Sequence, residues 1–354
     1  MKMSELVSLF QTKCPELVLA MKQADHHYAT DKLNPYHLES DVWTHTMQVC
    51  LMAQRFQVND MVKLACLFHD LGKPMAREVK EETQRVRFFG HEGASVFIAM
   101  DAINKMGIEL TDEDKAHLLN LISHHTNLYS AFEAKNPIKS VVDSYVGNKR
   151  LLQDLIWLSK CDALGRFTSN DTSTSENLEN LLAPALEQLK EKPVKMSEKT
   201  CTLLVGPPLS GKSTWIRNNP NPENVVISRD DLIMEFGGDL NYSANWASAD
   251  QDAIDKELLA RKKAAVTSGK SIIMDLTHCS PRSRRQSFGQ LPSSYKRNLI
   301  VFFSPLSLLL ERNERRGNDE NKFLKEEIIY RFVQGFTSPL LNEADEIKYV
   351  FNRI

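Results

Sequence analysis

A short apolar run, Thr202-Leu-Leu-Val205, leads directly into Gly206-Pro-Pro-Leu-Ser210-Gly211-Lys212-Ser213-Thr214. Few folds accommodate that order. The apolar run predicts a buried strand, the two glycines a loop that lies close against another group, and the residues after Lys212 a helix. Such an arrangement turns several backbone N–H groups toward one point, at the positive end of the helix dipole. Lys212 adds a charge able to meet the β and γ oxygens of a triphosphate, and the Ser213 hydroxyl is placed to hold Mg²⁺. Gly206, Ser210, Gly211, Lys212, Ser213 and Thr214 are therefore expected to bind ATP, or another nucleoside triphosphate, with Mg²⁺. The motif is silent about the acceptor.

The same grammar continues through the C-terminal half. Val225 to Ile227, Ser271 to Met274 and Leu299 to Phe303 are short apolar runs separated by helical stretches such as Ala249 to Thr267, a pattern that predicts a parallel sheet covered by helices. Before about residue 190 the periodicity is helical: apolar residues recur at three- and four-residue spacing in Val42 to Phe56, Met61 to Leu71, Ala94 to Met106 and Leu151 to Leu164, and strand signals are nearly absent. Thr111 with Asp114 predicts a cap for the helix through Ala116 to Ile122, and Gly72-Lys73-Pro74 is expected to stop the helix that carries His69 and Asp70. Thr168 to Glu176 reads as a polar loop, Leu178 to Leu189 as one more helix, and Lys190 to Lys195 as the linker. The 354 residues are thus expected to form two domains: an all-α domain over 1–192 and an α/β P-loop domain with a parallel sheet over 193–354.

No apolar run approaches bilayer length and the N-terminus lacks a secretory pattern, so a cytoplasmic protein with no membrane partner is expected. The six cysteines form no Cys-x-x-Cys pair, which predicts buried reduced thiols in place of a zinc knuckle or disulfide frame. Net charge is −5 before Lys199 and +3 from it onward, a mild bias of the second half toward polyanions.

Several residues point to the acceptor. Ser228-Arg229-Asp230-Asp231 puts carboxylates at the C-terminal edge of a parallel strand, where one can accept the proton of an attacking hydroxyl and the other can cap the next helix. Asp275 ends the strand Ser271 to Met274. Arg282, Arg284 and Arg285 cluster beyond Pro281, and Arg312-Asn-Glu-Arg315-Arg316-Gly317 ends a helix before the polar stretch Asn318 to Asn321, as a lid would. Taken in order, Gly-x-x-x-x-Gly-Lys-Ser, Ser-Arg-Asp-Asp, strand-Asp-x-Thr and Arg-Asn-x-x-Arg-Gly resemble the 5′-hydroxyl polynucleotide kinase family over Thr200 to about Phe336. That resemblance implies Asp230 as the general base, Lys212 at the transferring phosphate, Asp275 as a carboxylate of the acceptor site, and Arg312 and Arg316 as lid arginines on ATP. The family commonly has an arginine three positions after the base, where this chain has Ile233; Arg229, or the cluster Arg282, Arg284 and Arg285, is expected to grip the acceptor's phosphate instead.

All histidines but His278 lie at or before His125. His69 and Asp70 stand adjacent, and Asp70 can bridge two ions; His45 and Asp162 complete one half-site, and His91, His124 and His125 the other. Lys73, three residues past Asp70, is a candidate for the substrate phosphate. The ordered set His, His-Asp, His, His-His, Asp on a helical background resembles the HD phosphohydrolase superfamily over roughly Asp41 to Arg166, with wording similar to the HD domain of tRNA CCA-adding enzymes. His26, His27, His37, His117 and His278 fall outside the pattern and read as structural. The two halves together resemble the bifunctional HD-Pnk end-healing enzymes. That resemblance implies a nucleoside-triphosphate-dependent kinase for a 5′-OH of RNA or DNA and a phosphohydrolase for a 2′,3′-cyclic phosphate or 2′-phosphate. It also implies one or two divalent ions (Mn²⁺, Ni²⁺, Co²⁺ or Mg²⁺) and a separate ligase acting afterwards. The alternatives are a nucleotidase paired with a nucleoside or sugar kinase, and a nucleotide-gated regulatory module.

Overall fold

Helix caps at fixed points divide the N-terminal part of the chain. Asp41, Asn59, Thr111 and Asn148 each accept a hydrogen bond from the backbone N–H three residues on, opening the helices Val42–Arg55, Asp60–Phe68, Asp112–His124 and Lys149–Leu164. Each such cap satisfies an N–H the helix itself leaves open, typically for about 1 kcal/mol. The four helices pack on one another, and His91–Met106 lies against Asp112–His124. That last helix is buried on nearly every side, between the left-handed Gly90 and Gly107. Phe10, Phe68 and Phe97 fill the middle with no exposed surface. The computed structural model describes residues 1–28, 34–35, 37–132, 134–169, 178–238, 242–320 and 323–353; most of the polar loop expected after Thr168 and the end of the expected lid stretch lie outside them.

Two local readings need correction. Strand signals are nearly absent from this part of the sequence, yet β1 (Arg77–Lys80) and β2 (Arg85–Phe88) form an antiparallel hairpin, with Arg77 opposite Phe88. Arg-Val-Arg-Phe does alternate, but four residues are too few to stand out against helical flanks. The second correction is that helix Asp60–Phe68 ends one residue before His69. His69, Asp70, Leu71 and Gly72 form the turn that follows, and Lys73–Ala76 opens a new short helix.

The chain divides into two units, Met1–Lys192 with Val333–Asn342, and Pro193–Phe332 with Glu343–Ile354. The segment Val333–Asn342, expected with the α/β half, belongs to the helical unit. Its polar groups find partners there. Ser338 donates its N–H to Ser123 Oγ at 2.9 Å and accepts from His124 Nε2 at 2.9 Å through its carbonyl. The Ser338 hydroxyl donates to Asn120 Oδ1 at 2.6 Å. Phe336 stacks edge-on against Phe97.

In the second unit, β3 (Thr200–Val205), β4 (Asn224–Ser228), β5 (Ser271–Asp275), β6 (Lys296–Phe303) and β7 (Glu346–Phe351) form one parallel sheet in the order β4-β5-β3-β6-β7. The strand leading into the glycine loop is central, paired to β5 and β6. Leu204, Ile273, Ile300 and Phe302 make its core. β7 stands at the sheet edge with its residues mostly half buried, so its sequence lacks the apolar run that marks the inner strands. All six cysteines are buried and unpaired, and no helix among the described residues is long and apolar enough to cross a membrane.

Gly93 fixes the inserted segment. A Cβ there would press on the carbonyl oxygens of Val333, Gln334 and Phe336. Gly93→Ala is therefore expected to destabilise the helical unit by about 1–3 kcal/mol, the scale of overpacking, with amide exchange rising first at Val333–Asn342. Protection of those amides unchanged from wild type would contradict this.

Candidate functional site

Four histidines turn one nitrogen each toward Asp70. His69, His91 and His125 each hold Nδ1 2.8–3.0 Å from the backbone carbonyl three residues earlier, of Cys66, Phe88 and Ile122. A neutral imidazole that donates from Nδ1 presents a bare Nε2. Those Nε2 atoms lie 3.2 Å (His69), 3.3 Å (His91) and 3.8 Å (His125) from the Asp70 carboxylate, and His45 Nε2 lies at 3.6 Å. His45 and His69 face Oδ2; His91 and His125 face Oδ1. His45, His69 and Asp70 each offer a ligand atom within 4.8 Å of the others, and Asp70, His91 and His125 do the same.

Asp70 is buried, and neither carboxylate oxygen, nor His69 Nε2, has a hydrogen bond among the described residues. Lys73 Nζ lies 2.7 Å from Asp70 Oδ2 as an ion pair, off the hydrogen-bond line. Burial alone would lift the pKa of Asp70, but the neighbouring His69 and Lys73 outweigh it and hold it well below the usual carboxylate range. An ionised, buried carboxylate faced by the Nε2 atoms of four imidazoles is a donor set suited to divalent transition ions. Asp162 closes the other side. Its Oδ1 lies 3.0 Å from His45 Nε2, Tyr129 O–H donates to its Oδ2 at 3.0 Å, and Arg166 pairs with it. Burial opposes its ionisation, but Arg166 and His45 hold its pKa well below the usual range. Asp70, Lys73, His91, His125, Asp162 and Arg166 all line a cavity of about 710 Å³, which Gln334 to Thr337 help to wall.

In the other unit, Gly206 and Gly211 have φ of 157° and 90°. A Cβ on Gly206 would meet Ser210 Oγ at 2.7 Å. Lys212 opens the helix Lys212–Asn218, and its ammonium donates to Gly206 O at 2.9 Å and Pro207 O at 2.8 Å. Burial pulls its pKa down, with Asp275 and Asp230 opposing. Ser213 Oγ donates to Asp275 Oδ2 at 3.3 Å; burial raises the pKa of Asp275 although Lys212 opposes it. Tyr242 donates its O–H to Asp230 Oδ1 at 2.6 Å, and Arg316 lies over the Tyr242 ring at 5.9 Å. Arg312 donates to Leu209 O at 2.9 Å, and Asn352 Nδ2 donates to Ser210 O at 2.9 Å, so both brace the glycine loop from outside.

Residues 42–164 match the HD domain family and residues 202–339 match the AAA domain family. The chain joins an HD domain to an AAA-type P-loop domain. Two curated relatives, both named Multifunctional CCA protein, come from Pseudomonas fluorescens (28% identical over 157 residues, 44% of this chain) and Paracidovorax citrulli (25% over 163 residues, 45% of this chain). The match spans 37% of the length of each relative. Among solved structures, a chain of a Pnkp1/Rnl/Hen1 RNA repair complex is 25% identical, with a TM-score of 0.34, covering 40% of this chain and 45% of that one.

The HD domain departs from expectation at His124. Its Nδ1 lies 2.8 Å from Asn127 Nδ2, which donates to it, so its Nε2 carries the proton given to Ser338 O. Both nitrogens are used, and His124 stands apart from the metal-ligand groups. Of the adjacent pair, His125 alone joins Asp70. Sequence reasoning also missed Tyr129 and Arg166, which hold Asp162, because only the tertiary fold brings them there.

In the AAA domain the helix Arg229–Gly237 is capped by Ser228, whose Oγ accepts from the Asp231 N–H at 3.3 Å. Neither aspartate is the cap, contrary to expectation; both are exposed in the first turn. Ile233 is fully buried. Arg229 is occupied by Asp255 at 2.6 Å and Gln251 at 2.7 Å. Arg284 is buried in a two-point pair with Glu343, at 2.7 and 2.9 Å, while Arg282 and Arg285 are exposed on the same helix. Thr214 Oγ1 accepts from Arg217. His278, buried between Leu204 O and Ser287 Oγ, is structural, and burial lowers its pKa to about 4.

The contrast between neighbouring histidines gives a direct expectation. His125→Ala should weaken Mn²⁺ binding at least tenfold, the scale seen for supporting residues of metal sites. His124→Ala should leave Mn²⁺ affinity within about twofold while lowering stability by about 1–3 kcal/mol, since it strips partners from Asn127 and Ser338. Titration of chelator-stripped protein decides it; the opposite ranking would reverse the assignment.

Proposed function

We propose that the chain is a nucleic-acid end-healing enzyme with two active sites. The AAA domain transfers the γ-phosphoryl group of ATP to a 5′-OH, and the HD domain hydrolyses a 2′,3′-cyclic phosphate or 2′-phosphate. The observation that carries the HD reading is the set of four Nε2 atoms turned on one buried aspartate. His45, His69, Asp70 and Asp162 would hold one divalent ion, and Asp70, His91 and His125 a second. Such ions supply positive charge for a phosphoryl oxygen and lower the pKa of water. Lys73, lining the same cavity as Asp70, orients the substrate phosphate. Arg166 and Tyr129 keep Asp162 ionised and aimed.

In the kinase half, the acceptor oxygen attacks the γ-phosphorus in line, ADP leaves, and Asp230 takes the hydroxyl proton. Asp230 suits that role because Tyr242 orients its carboxylate and its charge bears on Lys212. Lys212 exchanges its two loop carbonyls for phosphate oxygens when ATP binds. Asp275 orients the Ser213 hydroxyl toward Mg²⁺. Arg312 and Arg316 stand beside the loop and beside Tyr242 respectively, placed to neutralise charge in transfer. With Arg229 and Arg284 already paired, Arg282 and Arg285 are left to meet the acceptor strand, and a ligase joins the healed ends.

Lys212→Ala should lower phosphorylation of a 5′-OH oligonucleotide by orders of magnitude and spare hydrolysis of a 2′,3′-cyclic phosphate, while Asp70→Ala should do the reverse. Loss of both activities in either folded variant would end the two-site reading. Asp230→Asn keeps shape but accepts no proton, so kcat should fall at least about a hundredfold with ATP affinity unchanged. Asp231→Asn should leave turnover near normal. Radiolabelled ATP with a 5′-OH oligonucleotide, beside a panel of nucleosides, measures these outcomes; phosphorylation of nucleosides alone would replace the polynucleotide acceptor with a small molecule.

A further inference from the structure

The geometry points to a third cation site in the HD unit, formed by His26, His37 and Glu39. Each offers a ligand atom within 4.8 Å of the other two. All three precede residue 42, where the HD family match begins, so they lie outside the matched segment.

His26 gives the strongest sign of a missing partner. It is 1% exposed, and neither ring nitrogen has a hydrogen bond among the described residues. A neutral imidazole has one donor and one acceptor, and burying both unmet is rare. Its ring stacks on that of His37, centroids 4.4 Å apart and planes 19° from parallel, and a nitrogen of each ring comes within 4.8 Å of the other and of a Glu39 oxygen. Glu39 is 3% exposed and firmly held. Its Oε2 accepts from the Phe167 N–H at 2.9 Å and its Oε1 lies 2.7 Å from His37 Nδ1.

The position relative to the first cluster gives the site a use. His45 Nδ1 lies 3.1 Å from Glu39 Oε1, while His45 Nε2 faces Asp70 and Asp162. One ring thus spans from Glu39 to the Asp70 cluster. His37 lines the same cavity as Asp70, Lys73 and His91, so an ion held there faces the same substrate phosphate from another side. Two imidazoles and a carboxylate select a divalent transition ion, with the remaining positions open to phosphoryl oxygen or water.

The test uses the full chain, stripped with chelator, dialysed against Mn²⁺ and assayed for ions per chain by elemental analysis. His37→Ala and Glu39→Gln should each lose one ion relative to wild type, with circular dichroism unchanged. Asp70→Ala should retain an ion that the Asp70→Ala/His37→Ala double variant loses. In parallel, the visible absorption of bound Co²⁺ should fall in His37→Ala. The inference extends the metal reading of the HD unit, and the two fail differently. Wild-type stoichiometry in both His37→Ala and Glu39→Gln, with ions lost in Asp70→Ala, overturns the third site alone. A wild-type chain that binds no ion overturns both.

Discussion

The HD unit is organised around one buried charge, the ionised carboxylate of Asp70 in the protein interior. Removing a carboxylate from water is among the costliest steps in folding, and it is tolerated only where opposite charge or strong donors surround it. Here the surroundings are Lys73 and four imidazoles, delivered by four separate segments. The turn after Phe68 supplies His69 and Asp70, the first turn of His91–Met106 supplies His91, the end of Asp112–His124 delivers His125, and the interior of Val42–Arg55 supplies His45. Each local cap and packing contact sets one imidazole. Losing any one leaves the charge less well matched.

Tautomer control follows the same logic. Three of the four rings are tied by Nδ1 to a carbonyl of their own chain three residues back, which fixes both the ring plane and the location of its proton. The free nitrogens converge because the backbone has already chosen for them. His45 differs, since its hydrogen bond runs from Nε2 to Asp162 while its Nδ1 only lies near Glu39 Oε1, and so it links its cluster to the segment before the family match. Second-layer partners of this kind set ligand orientation and basicity in metal sites generally.

The P-loop unit solves the converse problem, burying a cation in place of an anion. Lys212 sits below the surface with its ammonium on two carbonyls of its own loop, and burial lowers its pKa while Asp275 and Asp230 oppose. The loop is braced at Gly206 by the Thr277 carbonyl, at Leu209 by Arg312 and at Ser210 by Asn352. Those braces come from β-strand ends and a helix far apart in sequence, joined only because β3 lies in the middle of the parallel sheet.

What the sequence determined by itself was local. Glycine spacing after an apolar run specifies a strand, loop and helix; helical periodicity with caps such as Thr111 specifies a bundle; His69 beside Asp70 marks a metal-type cluster. Each signal depends on residues a few positions apart, where chain geometry leaves little choice. The tertiary structure decided what depends on distance. It separated His124 from His125, although they are neighbours, because Asn127 and Ser338 take both nitrogens of one ring while Ile122 orients the other. It gave the helix cap to Ser228 and left both aspartates exposed. It buried Arg284 against Glu343 and brought Val333–Asn342 back to the helical unit. It also gathered His26, His37 and Glu39, each unremarkable in sequence, into one cluster. Side-chain direction and long-range pairing are settled by packing, and packing is a property of the whole fold rather than of any stretch of it.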